Sequence, residues 1–460
     1  MRLRAIVFLL FVATACNTPD DRSESSRALV LRDASIIDGS GEPPRPAQTL
    51  VLRGDRIVAL GPNDEVVIPA GAEILELTGR TVVPGFIDLH VHFPADRGVQ
   101  KEMLAMLLEY GVTTMLNPGA RAGAGVELRK RIESGEVLGP RLMTAGRIID
   151  GEPPNPGLAH WCARVATEEE VRAEVRAQAL AGADWVKFYE MLSPELVAAG
   201  IDEAKKLGLS TVVHAGEISW GEAARAGANM LVHSGYGTPM EEIIDLADPA
   251  SATDDVWYRA HANAPEGAPF AALVEALLAG DVTVVPTLSI TQAGAVGFNT
   301  DLLPLFRTEL APDRDIDDWW TKGWRERHPQ AGDVGPAEQL LLAEVLVPGV
   351  LGIARAYQKR GVRLGVGTDV GNSWMTPGHV YHYELELYQR AGIPPIEILK
   401  AATQNGAIAL GLEDELGTIA VGKRADLVVL SSDPAQDIRA TRDIEAVFLG
   451  GRRISGREPR

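Results

Sequence analysis

Three observations predict that this 460-residue chain has an α/β fold: a (β/α)8 TIM barrel with a small β-sandwich domain built from both chain ends. Between residues 85 and 418, eight short apolar runs alternate with segments of helical pattern, which is the signature of repeated βα units. The flanks, 28–84 and 419–460, are instead strand-rich and punctuated by Gly and Pro turns. Reactive side chains recur at the C-terminal ends of several of the eight runs, where such barrels keep their chemistry. A doubly wound open sheet is the structural alternative. The spread of reactive residues over many strand ends favours the barrel.

In chain order, residues 1–15 read as a signal peptide. Arg2 and Arg4 precede an apolar run too short to span a bilayer. The small residues Ala13-Thr14-Ala15 lead to Cys16, which looks like a bacterial lipoprotein signal with cleavage before Cys16 and a lipid on that cysteine. A plain secretory signal is the alternative. Residues 16–27 are polar and read as a flexible tether. The expectation is an exported protein in the bacterial periplasm or cell envelope, touching membrane only through a lipid anchor at Cys16.

The first flank contains β-like runs at Ala28–Leu31, Thr49–Leu52 and Arg56–Leu60, and the last contains them at Ala425–Leu430 and Ile444–Leu449. The eight central strands are expected at Phe86–His92, Thr113–Asn117, Arg141–Ala145, Trp185–Tyr189, Ser210–Ala215, Met230–His233, Thr283–Thr287 and Arg363–Gly367. Helices fit between them, as at Thr167–Ala181, which opens with the capping box Thr167-Glu168-Glu169-Glu170, and at Ser193–Leu207.

The composition, 46% hydrophobic and 23% charged, is that of an ordinary globular protein. A net charge of −19 argues against nucleic acid or an anionic membrane surface as a partner. A small-molecule substrate fits, and a homo-oligomer stays open. Cys162 is the one cysteine outside the leader segment and reads as a buried thiol, with a nucleophile or a metal ligand as alternatives.

The chemistry gathers at the strand ends. His90 and His92 leave the first strand on one side, because side chains alternate along a strand. Lys187 lies in strand four, His214 ends strand five, His233 ends strand six, and Asp369 follows strand eight. Four of only nine histidines fall at these positions, so a metal site outweighs a set of structural histidines. Imidazole suits zinc, and the carboxylate adds a hard ligand or a proton acceptor.

Gly85-Phe86-Ile87-Asp88-Leu89-His90-Val91-His92, the single histidines of strands five and six, Asp369, and the closing run Leu416-Gly417-Thr418-Ile419-Ala420-Val421-Gly422-Lys423-Arg424-Ala425-Asp426-Leu427-Val428 together resemble the amidohydrolase superfamily of metal-dependent hydrolases. The likeness runs over about 29–455. Gly182-Ala183-Asp184-Trp185-Val186-Lys187 resembles the lysine motif of the imidazolonepropionase-like branch, which includes Xaa-Pro dipeptidases. The resemblance implies two divalent metal ions, zinc suiting the donors. His90, His92 and Asp369 would hold one, His214 and His233 the other, and an N6-carboxylysine at Lys187 would bridge them. An ordinary lysine in a one-metal site is the alternative. The implied reaction is hydrolysis of a C–N bond, most simply in a dipeptide or N-acyl amino acid, with Asp369 moving the proton. A cyclic amidase, lactonase or deaminase, and a non-catalytic surface-binding lipoprotein, are the competing readings.

For the substrate, Tyr236, Tyr189 and Arg147 are the candidates to polarise a carbonyl or hold a carboxylate, with Arg121, His160 and His379 behind them. Trp319, Trp320 and Trp324, in the long segment about 289–348, would form a lid or a substrate wall, or pack against the barrel. Glu384 and Glu386 read as structural residues of a helix.

Overall fold

The computed structural model describes residues 27–156, 158–159, 161–234, 240–244, 246, 253–297, 342–372 and 375–456. The leader and its cysteine Cys16, Tyr236, His160 and the tryptophans Trp319, Trp320 and Trp324 lie outside the described residues. No helix among the described residues is long and apolar enough to cross a membrane.

The first flank forms five strands: β1 (Leu29–Ile36), β2 (Arg45–Arg53), β3 (Arg56–Pro62), β4 (Glu73–Glu76) and β5 (Thr81–Pro84). β4 escapes a sequence reading because Glu-Ile-Leu-Glu carries little apolar alternation. It forms because β1 offers it a parallel edge, from Leu29↔Glu73 to Arg32↔Glu76.

The centre supplies the parallel strands: β6 (Phe86–Asp88), β7 (Val112–Asn117), β8 (Arg141–Thr144), β9 (Ile148–Asp150), β10 (Cys162–Arg164), β11 (Trp185–Phe188), β12 (Ser210–Val213), β13 (Met230–Val232), β14 (Thr283–Val285) and β15 (Arg363–Leu364). One parallel sheet runs β6-β7-β8 and a second runs β10-β9-β11-β12-β13-β14-β15. A bridge between Ala145 and Trp185 links the two sheets. On the other side, Leu89 N donates to Val366 O (2.9 Å) and His92 N to Val370 O (2.7 Å), so the segment after β15 runs beside β6. Except for β7, the ordered strands are shorter than the apolar runs. The run ends leave the ladder where their side chains turn toward the site. β9 and β10 are an addition, a short parallel pair between the third and fourth expected strands.

The last flank contributes β16 (Leu427–Leu430), β17 (Ile444–Leu449) and β18 (Arg452–Gly456). These join the first flank in one mixed sheet, ordered β18-β17-β16-β5-β1-β2-β3 with β4 on β1. The seam is the antiparallel β5–β16 pair, Pro84↔Leu427 to Thr81↔Leu430. A cluster drawn from both ends fills it, including Leu31, Leu50, Val82, Leu427 and Phe448.

Alternation sorts the parallel strands. Val186, Phe188, Val213, Leu231 and Val284 pack in the large core with the helices. Ile87, Leu89, Leu116, Trp185, Val212, Met230, Val232 and Val285 form a separate inner cluster, joined by Ala407 and Leu410 of the helix Gln404–Leu410. The helix Glu168–Ala181 has the capping box its sequence announces, and it stops at Gly182 in the left-handed region. The helix Pro194–Lys206 starts after Ser193.

Candidate metal centre

Lys187 sits within β11, paired with Val212 of β12; the other candidate ligands are placed by backbone that leaves the ladder. Asp88, at the end of β6, is fully buried. Its carboxylate accepts from His90 N (3.1 Å), Thr368 N (3.0 Å) and Thr368 Oγ1 (2.7 Å). It therefore ties the histidine pair to the segment that carries Asp369. His233 and Asp369 both have left-handed backbone, with φ of 68° and 59°. Non-glycine residues pay for that conformation in strain and hold it where the surroundings fix it. Here it turns the two side chains in toward His90.

The side chains converge closely. His90 Nε2 lies 3.2 Å from His92 Nε2 and 3.3 Å from Lys187 Nζ. Asp369 Oδ1 is 3.4 Å from both His90 Nε2 and His92 Nε2, and Oδ2 is 4.0 Å from His233 Nε2. The ring of His214 is 4.4 Å from that of His233, centre to centre. His90, Lys187, His214, His233 and Asp369 are all buried.

Hydrogen bonds assign the ring protons. His92 Nδ1 meets Gly119 O at 3.1 Å, and a carbonyl only accepts. Thr287 Oγ1 gives its own hydrogen to Pro286 O (2.7 Å) and so accepts from His233 Nδ1 at 2.8 Å. Both rings then keep their Nε2 lone pairs for the centre. Burial holds all three imidazoles neutral: His92 falls to about 3, and His90 and His233 fall well below the usual range. Burial also lowers Lys187 to about 8, against the pull of Asp369. It raises Asp369 to about 7, against Lys187.

His92 and His233 aim buried lone pairs at a centre that also holds the Asp369 carboxylate, and a cation satisfies such donors together. The Nδ1 of His90 has no hydrogen-bond partner, so that ring is held by the centre itself. The ligand atoms of His90, His233 and Asp369 lie within 4.8 Å of one another. The donor set of imidazoles plus one carboxylate therefore fits a divalent transition metal.

The remaining candidates separate. Tyr189 stands at the centre, its ring 4.5 Å from that of His214 and 5.6 Å from Lys187 Nζ. Arg147 pairs with Glu174 at 2.7 Å and its side chain is 41% exposed, so its charge is already matched outside the centre. Arg121 lies over the ring of Trp161. His379 contacts Arg442 at 3.0 Å and the ring of Tyr110, just before β7 begins and thus at the opposite strand end. Glu384 accepts from Leu288 N and Ser289 N, and Glu386 pairs with Arg442. Burial pushes the thiol of Cys162 up to about 12, which leaves no thiolate for attack.

Glu190 and its partner Asn155 carry no signal in the sequence. Glu190 Oε1 stands 3.0 Å from His214 Nε2, and Asn155 Nδ2 donates to its Oε2 at 2.7 Å. Burial alone raises this carboxyl, but His214, Asn155 and Lys187 outweigh it and hold Glu190 below the usual range. Its position just past the end of β11 gave no periodic signal, and its partners come from two other loops.

Comparison with known proteins places the chain. A profile of the amidohydrolase family matches residues 81–284 and 318–454. The chain is 23% identical to an ochratoxinase of Aspergillus niger, over 94% of this chain and 88% of the relative. It is 27% identical to an imidazolonepropionase of Symbiobacterium thermophilum, over 87% and 86%. The crystal structure of a putative prolidase from Bifidobacterium longum superposes with a TM-score of 0.69 at 27% identity, covering 94% of this chain and 96% of that one. With a buried His/His/Asp group suited to a metal, the chain belongs to the amidohydrolase family and is a metal-dependent hydrolase of C–N bonds.

Proposed function

We propose that this hydrolase is binuclear and cleaves the amide bond of a dipeptide or an N-acyl amino acid. The observation that carries the proposal is the convergence of His90, His92, Lys187, His233 and Asp369 at one buried point, with His214 against His233. His90, His92 and Asp369 would hold one metal, and His214 and His233 the other. Burial favours the neutral amine of Lys187, the form that reacts with CO2, so a carboxylated Lys187 would bridge the pair. When bound, two divalent ions supply Lewis acidity and lower the pKa of a water.

The protein's own groups do the rest. Asp369 accepts a proton from the attacking water and returns it to the leaving nitrogen, a general base and then a general acid. Tyr189 is the described candidate to orient the substrate carbonyl. Tyr236 stays a candidate on its spacing from His233. The central strands are read as a closed (β/α)8 barrel over 85–418. The mixed sheet is read as a sandwich domain of 28–84 and 419–460. An exported, lipid-anchored location follows from residues 1–16. The likeness to a putative prolidase supports the dipeptide. The likeness to an imidazolonepropionase supports a second reading, a cyclic amide.

The test is a panel of free dipeptides, N-acyl amino acids and cyclic amides, with protein loaded with zinc in bicarbonate. Hydrolysis is expected in one of the first two classes. Turnover of cyclic amides alone selects the second reading, and no turnover in any class of protein that holds its metal ends both. Lys187→Ala is expected to lower metal content from two ions toward one per chain; unchanged content rules out the bridge. Asp369→Asn is expected to lower kcat by roughly 10²–10⁴-fold.

A further inference from the structure

Three loops meet at Glu190. Asp150, the last residue of β9, is fully buried. Its Oδ1 accepts from Gly151 N (3.0 Å) and Met191 N (2.8 Å), and its Oδ2 from Asn155 N (2.7 Å). Asn155, so placed, donates its side-chain amide to Glu190 Oε2 at 2.7 Å. The backbone of Glu190 is pinned as well, since Glu217 N donates to its carbonyl at 2.9 Å. A Cβ at Gly216 would stand 2.2 Å from that carbonyl oxygen, so only glycine lets the loop after β12 approach. The other carboxylate oxygen of Glu190 reaches His214 Nε2 at 3.0 Å, while the ring of Tyr189 closes on the imidazole edge-on at 4.5 Å.

We infer that Glu190 is a positioning residue which, held by Asn155 and Asp150, fixes His214 as a metal donor through Nδ1. The Glu190 oxygen 3.0 Å from Nε2 is an acceptor, so it favours the tautomer with the hydrogen on Nε2. Nδ1 is then the ring atom that can take a metal. Ligating histidines commonly give their other N–H to a carboxylate, which sets the tautomer and raises the basicity of the ligating nitrogen. The relay Asp150–Asn155–Glu190–His214 thus lets the loop after β9 tune one metal position without touching it. The inference rests on the two-metal reading given above.

The experiment measures metal binding rather than turnover, by competition with a chromophoric chelator and by the visible spectrum of the Co2+-loaded protein. Wild type is compared with His214→Ala, Glu190→Ala, Glu190→Gln and Asn155→Ala. His214→Ala is expected to lose one of two ions. Glu190→Ala is expected to weaken one of two sites by roughly 10–100-fold and to shift the Co2+ spectrum. Glu190→Gln, whose amide oxygen can still accept from Nε2, is expected to recover most of that loss. Asn155→Ala, which removes the amide that holds Glu190 Oε2, is expected to weaken the same site by a smaller factor. If His214→Ala loses an ion while Glu190→Ala melts and binds both ions as wild type does, the relay is overturned and the two-metal reading stands. If His214→Ala keeps both ions, His214 is no ligand and both fall. Should Glu190→Ala not fold, unchanged affinity and spectrum in Asn155→Ala overturn the relay by itself.

Discussion

Single side chains in this protein are set by burial as much as by partners. His261 is the simplest case. It is fully buried in the helix Asp254–Asn263, stacked on Trp257, and among the described residues neither ring nitrogen has a hydrogen-bond partner. Burial alone lowers it to about 4. The unfolded chain titrates it near the usual value of about 6.5. Between those two pH values the unfolded state binds a proton that the folded state refuses, so the contribution of His261 to stability falls as pH drops. The whole protein need not show this, because burial raises Asp88 and Glu384 to about 7 and these act in the opposite sense. The expected outcome therefore concerns a difference. The stability of wild type relative to His261→Leu should fall by about 1.4 kcal/mol per pH unit from pH 6.5 toward 4. Denaturant melts of the metal-free proteins at pH 6.5, 5.5 and 4.5 check this, and a constant difference would refute it. At the same scale, the strand-end histidines, Lys187 and Asp369 were all legible, because spacing relative to an apolar run reveals which side a residue faces. Glu190 and Asn155 were not. Their role exists only where separate loops meet, and nothing local marks it.

Elements owe their ends to residues far away in the chain. The helix Leu288–Gly297 begins just after β14, and its first amides would be orphaned in the interior. Glu384, from the helix His379–Arg390, accepts from Leu288 N at 2.8 Å and Ser289 N at 2.6 Å. It is fully buried. Glu384→Ala strands both donors, and the expected cost is about 1–3 kcal/mol. Hydrogen exchange at the Leu288 and Ser289 amides should accelerate more than at the amides of Glu168–Ala181. Uniform acceleration would place the loss elsewhere. The contrast with Glu168–Ala181 is instructive. That helix carries its cap in its own sequence, with Thr167 receiving Glu170 N at 3.3 Å, so its start could be read locally. The cap of Leu288–Gly297 lies 95 residues away or more, beyond any local pattern. β9 and β10 were missed for a related reason. Three residues each are too few to show a period, and they order because β10 pairs with β9 and β9 with β11.

At the scale of the molecule, one junction between the mixed sheet and the parallel set is at Gly85. Gly85 lies between β5 of the mixed sheet and β6 of the parallel set, and its N–H donates to Asp426 O at 2.8 Å. A Cβ there would sit 2.1 Å from Thr113 Oγ1 and 2.6 Å from its Cγ2, so the two sheets meet only across a glycine. Gly85→Ala is expected to lower the melting temperature by several degrees, at a cost of about 1–3 kcal/mol. An unchanged melt shows that Thr113 can move aside. The mixed sheet depends on both chain ends. Removing 427–460 leaves β5 without its partner β16 and opens the cluster that Leu427, Val429, Ala446 and Phe448 complete with Leu31, Leu50 and Val82. The truncated chain is expected to be insoluble on expression, whereas a soluble product with native circular dichroism would show that the first flank folds alone.

From its sequence alone this protein declares an α/β middle, strand-rich ends, a likeness to the amidohydrolases, and the strand-end set His90, His92, Lys187, His214, His233 and Asp369. The α/β middle and the strand-rich ends are consequences of periodicity and spacing, which act over a few residues and need no knowledge of what packs against what; the ligand set is also what the resemblance implies. The tertiary structure decided the rest. It chose β5 and β16 as the pair through which the two ends share one sheet, as the sequence led one to expect of the ends, matched Arg147 with Glu174 outside the centre, and brought Tyr189 and Glu190 onto His214. Such contacts join chain segments tens to hundreds of residues apart, and only the packed chain brings them within hydrogen-bond reach.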